Sequence, residues 1–133
     1  MTSPIVTCTA EYESILAEVL RVWAENVRLH QPEAVAAAFT EDAVFQGSDP
    51  THAVGRVGVA AYYGKRPIGL DPKYRVKEVR GLGRDAFVAF VDVDFKHPDG
   101  YVDPTHLTLV LVWSDGWFIK QYHVSKIQLA PSA

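Results

Sequence analysis

The residues best suited to chemistry lie near the C-terminal end, in the stretch IKQYHVSKI. The stretch alternates as a β-strand does, and one of its two rows is Gln121, His123 and Ser125. A histidine in such a row can serve as a general base, as a metal ligand or as an ordinary polar group on a wet sheet face. The role of this row therefore depends on which face of the sheet it occupies.

The hairpin signal before this stretch predicts which residues stand opposite the row. Asp115-Gly116 favours a two-residue turn that pairs Ser114 with Trp117. Counting outward from that pair predicts four further pairs: Thr108 with His123, His106 with Ser125, Leu109 with Tyr122 and Leu107 with Val124.

A second turn, in the sequence HPDGY, adds a carboxylate to the same face. Pairing His97 with Tyr101 across this turn places Asp92 opposite His106, unless a bulge at Pro104 shifts the register by one residue. A carboxylate beside an imidazole raises the pKa of the imidazole and fixes its tautomer, as a general base requires. The alternative is that cross-strand polar pairs satisfy one another beneath an interface. The polar cluster on this face is Asp92, His106, Thr108, Gln121, His123 and Ser125.

The composition sets the broad class of the protein. The chain has 133 residues, 22% of them charged, and a net charge of -3 without a basic run, which suits one globular domain and gives no sign of nucleic-acid binding. No apolar stretch approaches the length that spans a bilayer, and the first residues do not resemble a secretory signal. The lone Cys8 favours a reducing compartment, so we expect a cytoplasmic protein. No phosphate-binding loop or spaced ligand set predicts a cofactor or a metal.

The hydrophobic periodicity predicts helices first and strands afterwards. Apolar residues at helical spacing predict a first helix over 11–29, and Pro32 begins a second that extends to Phe39. A short strand starts at Ala43, and GVAAYYG forms a third helix. Period-two segments then predict four strands, over 74–80, 86–95, 105–113 and 117–127. This order is typical of an α+β protein with helices on one face of an antiparallel sheet.

Both rows of the strand LTLVLVW are apolar, as is most of AFVAFVDVDF. A sheet covered on one face only would show polar residues in its outer row. We therefore expect both faces to be covered, one by the helices and the other by a second copy of the chain. The sequence predicts a homodimer through the open sheet face.

Three segments resemble the NTF2-like, or SnoaL-like, superfamily, and most of all its small bacterial members of the SgcJ/EcaC type. They are PEAVAAAFTEDAVFQG, GRVGVAAYYGKRP and DGWFIKQYHVS. The ending W-x-I-x-x-x-H-x-S is also similar to the association domain of the calmodulin-dependent kinase. The resemblance covers nearly the whole chain, as one domain over 1–133. It implies a cone of three N-terminal helices packed in a curved antiparallel sheet, with a pocket between them.

Ketosteroid isomerase is the best-understood relative that this resemblance implies, and its catalytic positions are only partly matched. The first-helix tyrosine falls on Trp23, and the supporting tyrosine of the third helix matches Tyr63. The aspartate base falls on Gly47, or on Asp49 if two extra residues are allowed, and no carboxylate stands at the oxyanion position. The steroid-type set of proton-transfer residues is therefore incomplete.

The same resemblance turns the Tyr122 row toward the pocket and the His123 row toward a partner. Asp49 and His52, in the loop after the first strand, are then the acid–base candidates. The expected pocket is apolar, with a few hydroxyl and indole donors, and suits a hydrophobic or aromatic molecule. Its expected lining is Trp23, Phe39, Phe45, Tyr62, Tyr63, Leu109, Lys120, Tyr122 and Val124.

Three functions stay open at this point. The first is a small-molecule-binding protein that acts on an apolar metabolite as an isomerase, cyclase or hydratase, by general acid/base chemistry. The second is a protein that sequesters such a molecule without turnover. The third is an oligomerisation module whose pocket is incidental, because this fold hosts many unrelated functions.

Overall fold

The structure is a computed structural model, and it describes residues 9–128. Cys8 lies outside the described residues. The elements along the chain are α1 (Thr9–Arg28), α2 (Pro32–Ala36), β1 (Phe39–Gln46), β2 (Ala53–Val54), α3 (Gly55–Gly64), β3 (Asp71–Gly81), β4 (Ala86–Lys96), β5 (Val102–Trp113) and β6 (Trp117–Lys126).

The first helix follows the predicted apolar stripe, and the chain leaves it through a tight turn. His30, the second residue after α1, adopts a left-handed backbone with φ of 53°. The amide of Gln31 donates to the carbonyl of Asn26 at 2.9 Å, which closes the C-terminal end of the helix, and Pro32 then begins α2. The buried stripe of α1 consists of Tyr12, Leu16, Leu20, Trp23, Ala24 and Val27.

Six strands form one sheet in the order β2-β1-β6-β5-β4-β3. The expectation of a wholly antiparallel sheet is wrong, because β1 runs parallel to β6, with Phe45 opposite Tyr122. A hairpin forces neighbouring strands to be antiparallel, but no hairpin joins β1 to β6. The long path through α3 and four other strands leaves the relative direction of β1 and β6 to the packing of the helices.

The segment between α1 and α3 differs most from the prediction. The second helix ends at Ala36 instead of Phe39, and Phe39 begins β1, where it is fully buried opposite Ile119. The amide of Ile119 donates to the carbonyl of Ala38 at 2.9 Å, so pairing with β6 overrides the helical tendency of the alanines. The two-residue strand β2 lies in the predicted loop and pairs with β1. Of the described helices, α1 and α2 precede the sheet, whereas α3 follows β1 and β2.

The turn between β4 and β5 has the predicted form. The amide of His97 donates to the carbonyl of Tyr101 at 2.8 Å, and Gly100 has a positive φ of 94°. Asp92 stands opposite His106, so Pro104 does not shift the register. The predicted pairing of this carboxylate with this imidazole is confirmed.

The turn between β5 and β6 is different from the one predicted, yet the predicted pairs are present. Trp113, rather than Ser114, pairs with Trp117, so the turn holds one residue more. A bulge at Lys120 then adds one residue to β6, because Leu111 faces Ile119 while Val110 faces Gln121. The two one-residue shifts cancel. All four predicted pairs beyond the bulge are confirmed: Thr108–His123, His106–Ser125, Leu109–Tyr122 and Leu107–Val124.

The two faces of the sheet differ in how they are covered. α1 lies against β3 and β6, and α3 lies against β1, over a buried core that includes Val91, Leu107 and Leu109. On the opposite face, Phe90 is 38% exposed, and no described element covers it. Val88, Val110 and Val112 are half-buried in the same outward row. The apolar outer row that the sequence predicts is therefore present.

Candidate functional site

A cavity of about 400 Å³ opens at one end of the sheet. The loop after β1, the end of α3 and the ends of β4, β5 and β6 enclose it. Its buried end is formed by Tyr63, Leu70 and Tyr122, with Phe95 and Val124 beside them. The polar residues at its more exposed end are Ser48, Asp49, Arg66, His97, Asp103, His123 and Lys126. The volume lies in the range of small-molecule sites.

Hydrogen-bond donors from three elements meet at the buried end. The indole Nε1–H of Trp23 on α1 donates to the hydroxyl of Tyr63 on α3 at 3.0 Å. Burial raises the pKa of the Tyr63 hydroxyl above its ordinary value, while the hydrogen-bonding partners Tyr122 and Trp23 partly oppose this shift. Burial also raises the pKa of Tyr122. Both hydroxyls are therefore neutral at physiological pH and can donate a hydrogen bond.

Stacked rings support one wall of the cavity from behind. The rings of Phe45 and Tyr122, which pair across β1 and β6, lie 4.3 Å apart at an angle of 14°. The ring of Tyr62 lies 4.7 Å from that of Phe45, and the ring of Tyr63 lies edge-on to Tyr62 at 5.2 Å. Because each ring contacts the next, this wall is fixed before any ligand enters.

Hydrogen bonds hold the short polar segment of the loop after β1 in place. The side-chain amide of Gln46 donates to the carbonyl of Gly47 at 3.0 Å and to that of Asp49 at 2.7 Å. The backbone amide of Ser48 donates to the hydroxyl of Tyr62 at 3.0 Å. These bonds hold Asp49 at the cavity mouth.

Arg66 extends this arrangement from the turn after α3. Its guanidinium lies 4.3 Å from the centroid of the Tyr62 ring and donates to the hydroxyl of Ser48 at 3.0 Å. Its Nη2 lies 3.5 Å from Oδ1 of Asp49. The Asp49 carboxylate at the mouth therefore already has a cationic partner within the protein.

The structure separates the two predicted acid–base candidates. Asp49 lines the cavity, whereas His52 is exposed and is not among the lining residues. His52 borders a different hollow, which shares Gly47, Asp49 and Tyr62 with the cavity. The two side chains therefore do not meet in the cavity as a pair.

Four of the expected lining residues, Tyr62, Tyr63, Tyr122 and Val124, lie on the cavity wall. Four others are core residues behind it: Trp23, Phe39, Phe45 and Leu109.

Lys120 lies away from the cavity, and its expected inward direction is wrong. The bulge in β6 displaces it from the inward row. Its ammonium group lies 2.9 Å from Oδ2 of the exposed Asp42.

The residues of the expected polar cluster lie together on the outer face of the sheet. Nδ1 of His106 lies 2.9 Å from Oδ1 of Asp92, and the ring of Phe90 lies 5.4 Å from the imidazole. Thr108, Gln121 and Ser125 are exposed in the same outward row.

His123 is also exposed, and it borders the cavity mouth as well. It stands opposite Gln46, where β1 ends and leaves the edge of β6 open. His123 is therefore the residue at which the outer face and the cavity meet.

Several cavity residues were missed at the sequence level, among them the titratable residues His97, Asp103 and Lys126. Asp103 pairs with Phe95 across β4 and β5, and its Oδ2 lies 3.7 Å from Nζ of Lys126. The predicted turn at HPDGY already implied that Asp103 stands opposite Phe95. Counting the register outward from that turn would have placed Asp103 in the same row as Phe95.

Residues 9–128 lack a metal-binding cluster and a membrane-spanning helix. They contain no group of three or more His, Cys, Asp or Glu side chains that could hold a metal ion. None of their helices has both the length and the apolar character needed to cross a membrane.

Comparison with solved structures identifies the fold. A cystatin-like domain of unknown function from Nostoc punctiforme PCC 73102 superposes with a TM-score of 0.78 at 23% identity, over 92% of this chain and 81% of that chain. A Xanthomonas campestris protein named for the calcium/calmodulin dependent protein kinase II association domain gives 0.75 at 20% identity, over 96% and 97%. The chain has an NTF2-like fold. A ketosteroid isomerase-like protein from Erwinia carotovora atroseptica gives 0.69 at 23% identity, over 87% and 96%.

These identities support a shared fold and no specific activity. No protein-family model and no curated protein matches the sequence. Because the NTF2-like fold hosts several unrelated functions, the function of this chain has to be inferred from its cavity.

Proposed function

We propose that the protein binds a small apolar or aromatic molecule in the cavity between α3 and the ends of β4, β5 and β6. The observation that supports this most strongly is the division of the cavity into a buried end of aromatic and aliphatic side chains and a charged mouth. Such a division suits a molecule that buries its rings and leaves polar substituents near water. A cavity of about 400 Å³ is large enough for two or three fused rings.

The finer proposal is that the bound molecule is turned over by general acid/base chemistry, as in an isomerase, cyclase or hydratase. Two carboxylates, Asp49 and Asp103, line the same cavity as two neutral tyrosine hydroxyls. A base and a proton donor on opposite sides of an apolar ligand are the minimum that such chemistry needs. One solved structure of the same fold is named ketosteroid isomerase-like, which is consistent with this reaction class.

Binding without turnover is the second candidate. The guanidinium of Arg66 lies beside the carboxylate of Asp49, and His52 lies outside the cavity. A carboxylate that already faces a guanidinium is less available to contact a ligand proton. This pairing favours sequestration over catalysis by the Asp49 and His52 pair.

Thermal-shift measurements with a panel of aromatic and aliphatic metabolites test the binding proposal. The matched control is Val124→Trp, which fills part of the cavity from its half-buried wall. We expect ligands that raise the melting temperature of the wild type to have no effect on this variant, provided that it remains folded by circular dichroism. A panel without a single hit, or hits that stabilise both proteins equally, would count against the cavity as a binding site.

A homodimer through the outward face of β4, β5 and β6 is proposed alongside the binding function. Its support is the exposed Phe90 among the half-buried Val88, Val110 and Val112, on a face that no described element covers. An apolar patch of this kind on an uncovered sheet face is typical of a surface that contacts a partner. A second copy related by twofold symmetry would bury the same patch from both sides.

A further inference from the structure

A second hollow, of about 390 Å³, adjoins the cavity beside the loop that follows β1. The two spaces share three lining residues, Gly47, Asp49 and Tyr62. His52 and Lys65 border the second hollow but not the cavity. Because the two volumes are nearly equal, a molecule that extended through both spaces would be much larger than one confined to the cavity.

The side chain of Tyr62 is the largest of the three at the boundary between the two spaces. Gly47 has no side chain, and the carboxylate of Asp49 faces the guanidinium of Arg66 at 3.5 Å. A Cβ on Gly47 would lie 2.6 Å from the hydroxyl oxygen of Tyr62, so the ring lies directly against the backbone of the loop. A ligand cannot pass between the ring and the loop without displacing one of them. The ring of Tyr62 is therefore a partition between the cavity and the second hollow.

Contacts on several sides hold this partition in place. The backbone amide of Ser48 donates to the Tyr62 hydroxyl at 3.0 Å, and the hydroxyl of Ser48 lies at the same distance from it. The guanidinium of Arg66 lies 4.3 Å from the centroid of the Tyr62 ring, and the ring of Phe45 lies 4.7 Å from it. These hydrogen bonds, the cation–π contact and the aromatic contact are all lost if the ring turns away. Displacing the partition is therefore unfavourable for any ligand.

We propose that Tyr62 is the specificity-determining residue of the cavity, because its ring excludes the bound molecule from the second hollow and so limits its length. The wild-type cavity accepts a molecule with two aromatic rings in line and gains nothing from a third, since the third ring has to clash with Tyr62 or remain in water. The same partition separates the ligand from His52, while Asp49 stays on the cavity wall. This inference rests on the proposed binding function and specifies the size class of its ligand.

Two aromatic carboxylates of different length test the limit by isothermal titration calorimetry. Biphenyl-4-carboxylate has two rings in line and p-terphenyl-4-carboxylate has three, and the carboxylate group keeps both probes in solution. Burial of a further phenyl ring raises affinity by about tenfold or more. We expect the wild type to bind the terphenyl probe no more tightly than the biphenyl probe, because its third ring is not buried.

Tyr62→Ala should remove the limit, because the third ring can then enter the second hollow. This variant is expected to bind the terphenyl probe about tenfold or more tightly than the biphenyl probe. Tyr62→Phe retains the ring and should restore the wild-type ratio of the two affinities, which separates the size of the ring from the contacts of its hydroxyl. Tyr62→Leu, which also lacks the ring, is the second variant if the alanine variant does not fold, and it should change the ratio in the same direction.

The imidazole of His52 reports whether the third ring enters the second hollow, which His52 borders. In a ¹H–¹³C correlation spectrum, the Cε1–H signal of His52 is identified by its loss in His52→Gln. This signal should shift when the terphenyl probe binds to Tyr62→Ala and should not shift when either probe binds to the wild type. Phe95→Ala is the matched control, since it removes an aromatic ring from the cavity wall at a position that does not border the second hollow. It should leave the His52 signal unchanged with either probe.

The outcomes separate this inference from the function on which it rests. An unchanged affinity ratio in Tyr62→Ala, a gain in its affinity without a shift of the His52 signal, or tighter binding of the terphenyl probe by the wild type would overturn the role of Tyr62 and leave the cavity as a binding site. If neither probe binds the wild type or Tyr62→Ala while other aromatic metabolites stabilise the protein, the inferred ligand shape is wrong. If no metabolite stabilises it either, both proposals fail.

Discussion

The ring of Tyr62 occupies the space that any side chain on Gly47 would need. A Cβ placed on Gly47 would lie 2.6 Å from the Tyr62 hydroxyl oxygen and 2.5 Å from its ring carbon Cε2. The resemblance to ketosteroid isomerase assigns the aspartate base to this position. In this chain an aromatic ring fills the place of that base, so the carboxylates of the cavity, Asp49 and Asp103, lie elsewhere.

Gly47→Ala is expected to lower the free energy of unfolding by about 1–3 kcal/mol, because the added methyl group overpacks against a ring that cannot move freely. Tyr62 is held by Ser48 on one side and by the guanidinium of Arg66 on the other. Urea denaturation followed by tryptophan fluorescence measures the effect. Gly64→Ala is the control, since a Cβ on Gly64 would meet no atom within 4 Å. Equal stability of the two variants would show that Tyr62 is not held as described.

Stability is expected to fall at alkaline pH because of Tyr63 and Tyr122. Burial raises the pKa of both above the ordinary value of 10.0, so the unfolded chain loses these protons first. The stabilisation is complete below that value and is lost as pH rises above it, by about 1.4 kcal/mol per pH unit for each tyrosine. Urea denaturation between about pH 9 and about pH 11 measures the slope.

Two variants decide whether buried tyrosines cause that slope. Tyr63→Phe should make the alkaline loss of stability shallower, whereas Tyr101→Phe should not, because Tyr101 is 55% exposed. Identical slopes in the wild type and both variants would mean that Tyr63 ionises in the folded protein as readily as in the unfolded chain.

Phe90→Asp is expected to convert the proposed dimer into a monomer. The substitution places a charge at the centre of the outward face, beside the existing carboxylate of Asp92, and desolvating both in an interface is unfavourable. Size-exclusion chromatography with light scattering at micromolar concentration measures the mass. Val57→Asp, on the outer side of α3 and 86% exposed, should remain dimeric. If the wild type is a monomer, the outward face is not a dimer interface.

Lys120→Ala is expected to change stability by less than about 0.5 kcal/mol, because its ion pair with Asp42 lies in water. It should also leave ligand affinity unchanged, since the bulge in β6 directs Lys120 away from the cavity. Urea denaturation and the calorimetric titration of any confirmed ligand measure the two quantities. A marked loss of ligand affinity would show that Lys120 contacts the ligand and that its placement outside the cavity is wrong.

The strand register shows what the sequence can and cannot predict. The residues of a hairpin carry a local signal, so the turn at Gly100 and the Asp92–His106 pair could be predicted from the chain alone. The bulge at Lys120 carries no such signal. It lies where the register between β6 and the parallel strand β1 also shifts, and that neighbour is far away in the sequence. The predicted pairs with Tyr122 and His123 were correct because a second shift, in the turn, had the opposite sign.

Apart from Asp49 and Val124, the residues of the candidate site that could be predicted are aromatic. Tyr62, Tyr63 and Tyr122 are large residues at helical or strand spacing, and such residues signal burial wherever they stand. Asp103 and Lys126 give no comparable signal, because charged residues at strand ends usually face water. They line a cavity here only because this end of the sheet is open between α3 and the strand ends. Which end is open depends on the helices, and no strand sequence encodes it.

The parallel pairing of β1 with β6 also bears on how the chain reaches its native state. The stack of Phe45 on Tyr122 joins segments separated by most of the domain, so it cannot form until the intervening strands have come together. Closing so long a loop carries an entropic cost that precedes any gain from the contact. We therefore expect the β3–β4–β5 meander to form early in folding, and the wall that carries both rings to be among the last parts of the domain to become ordered.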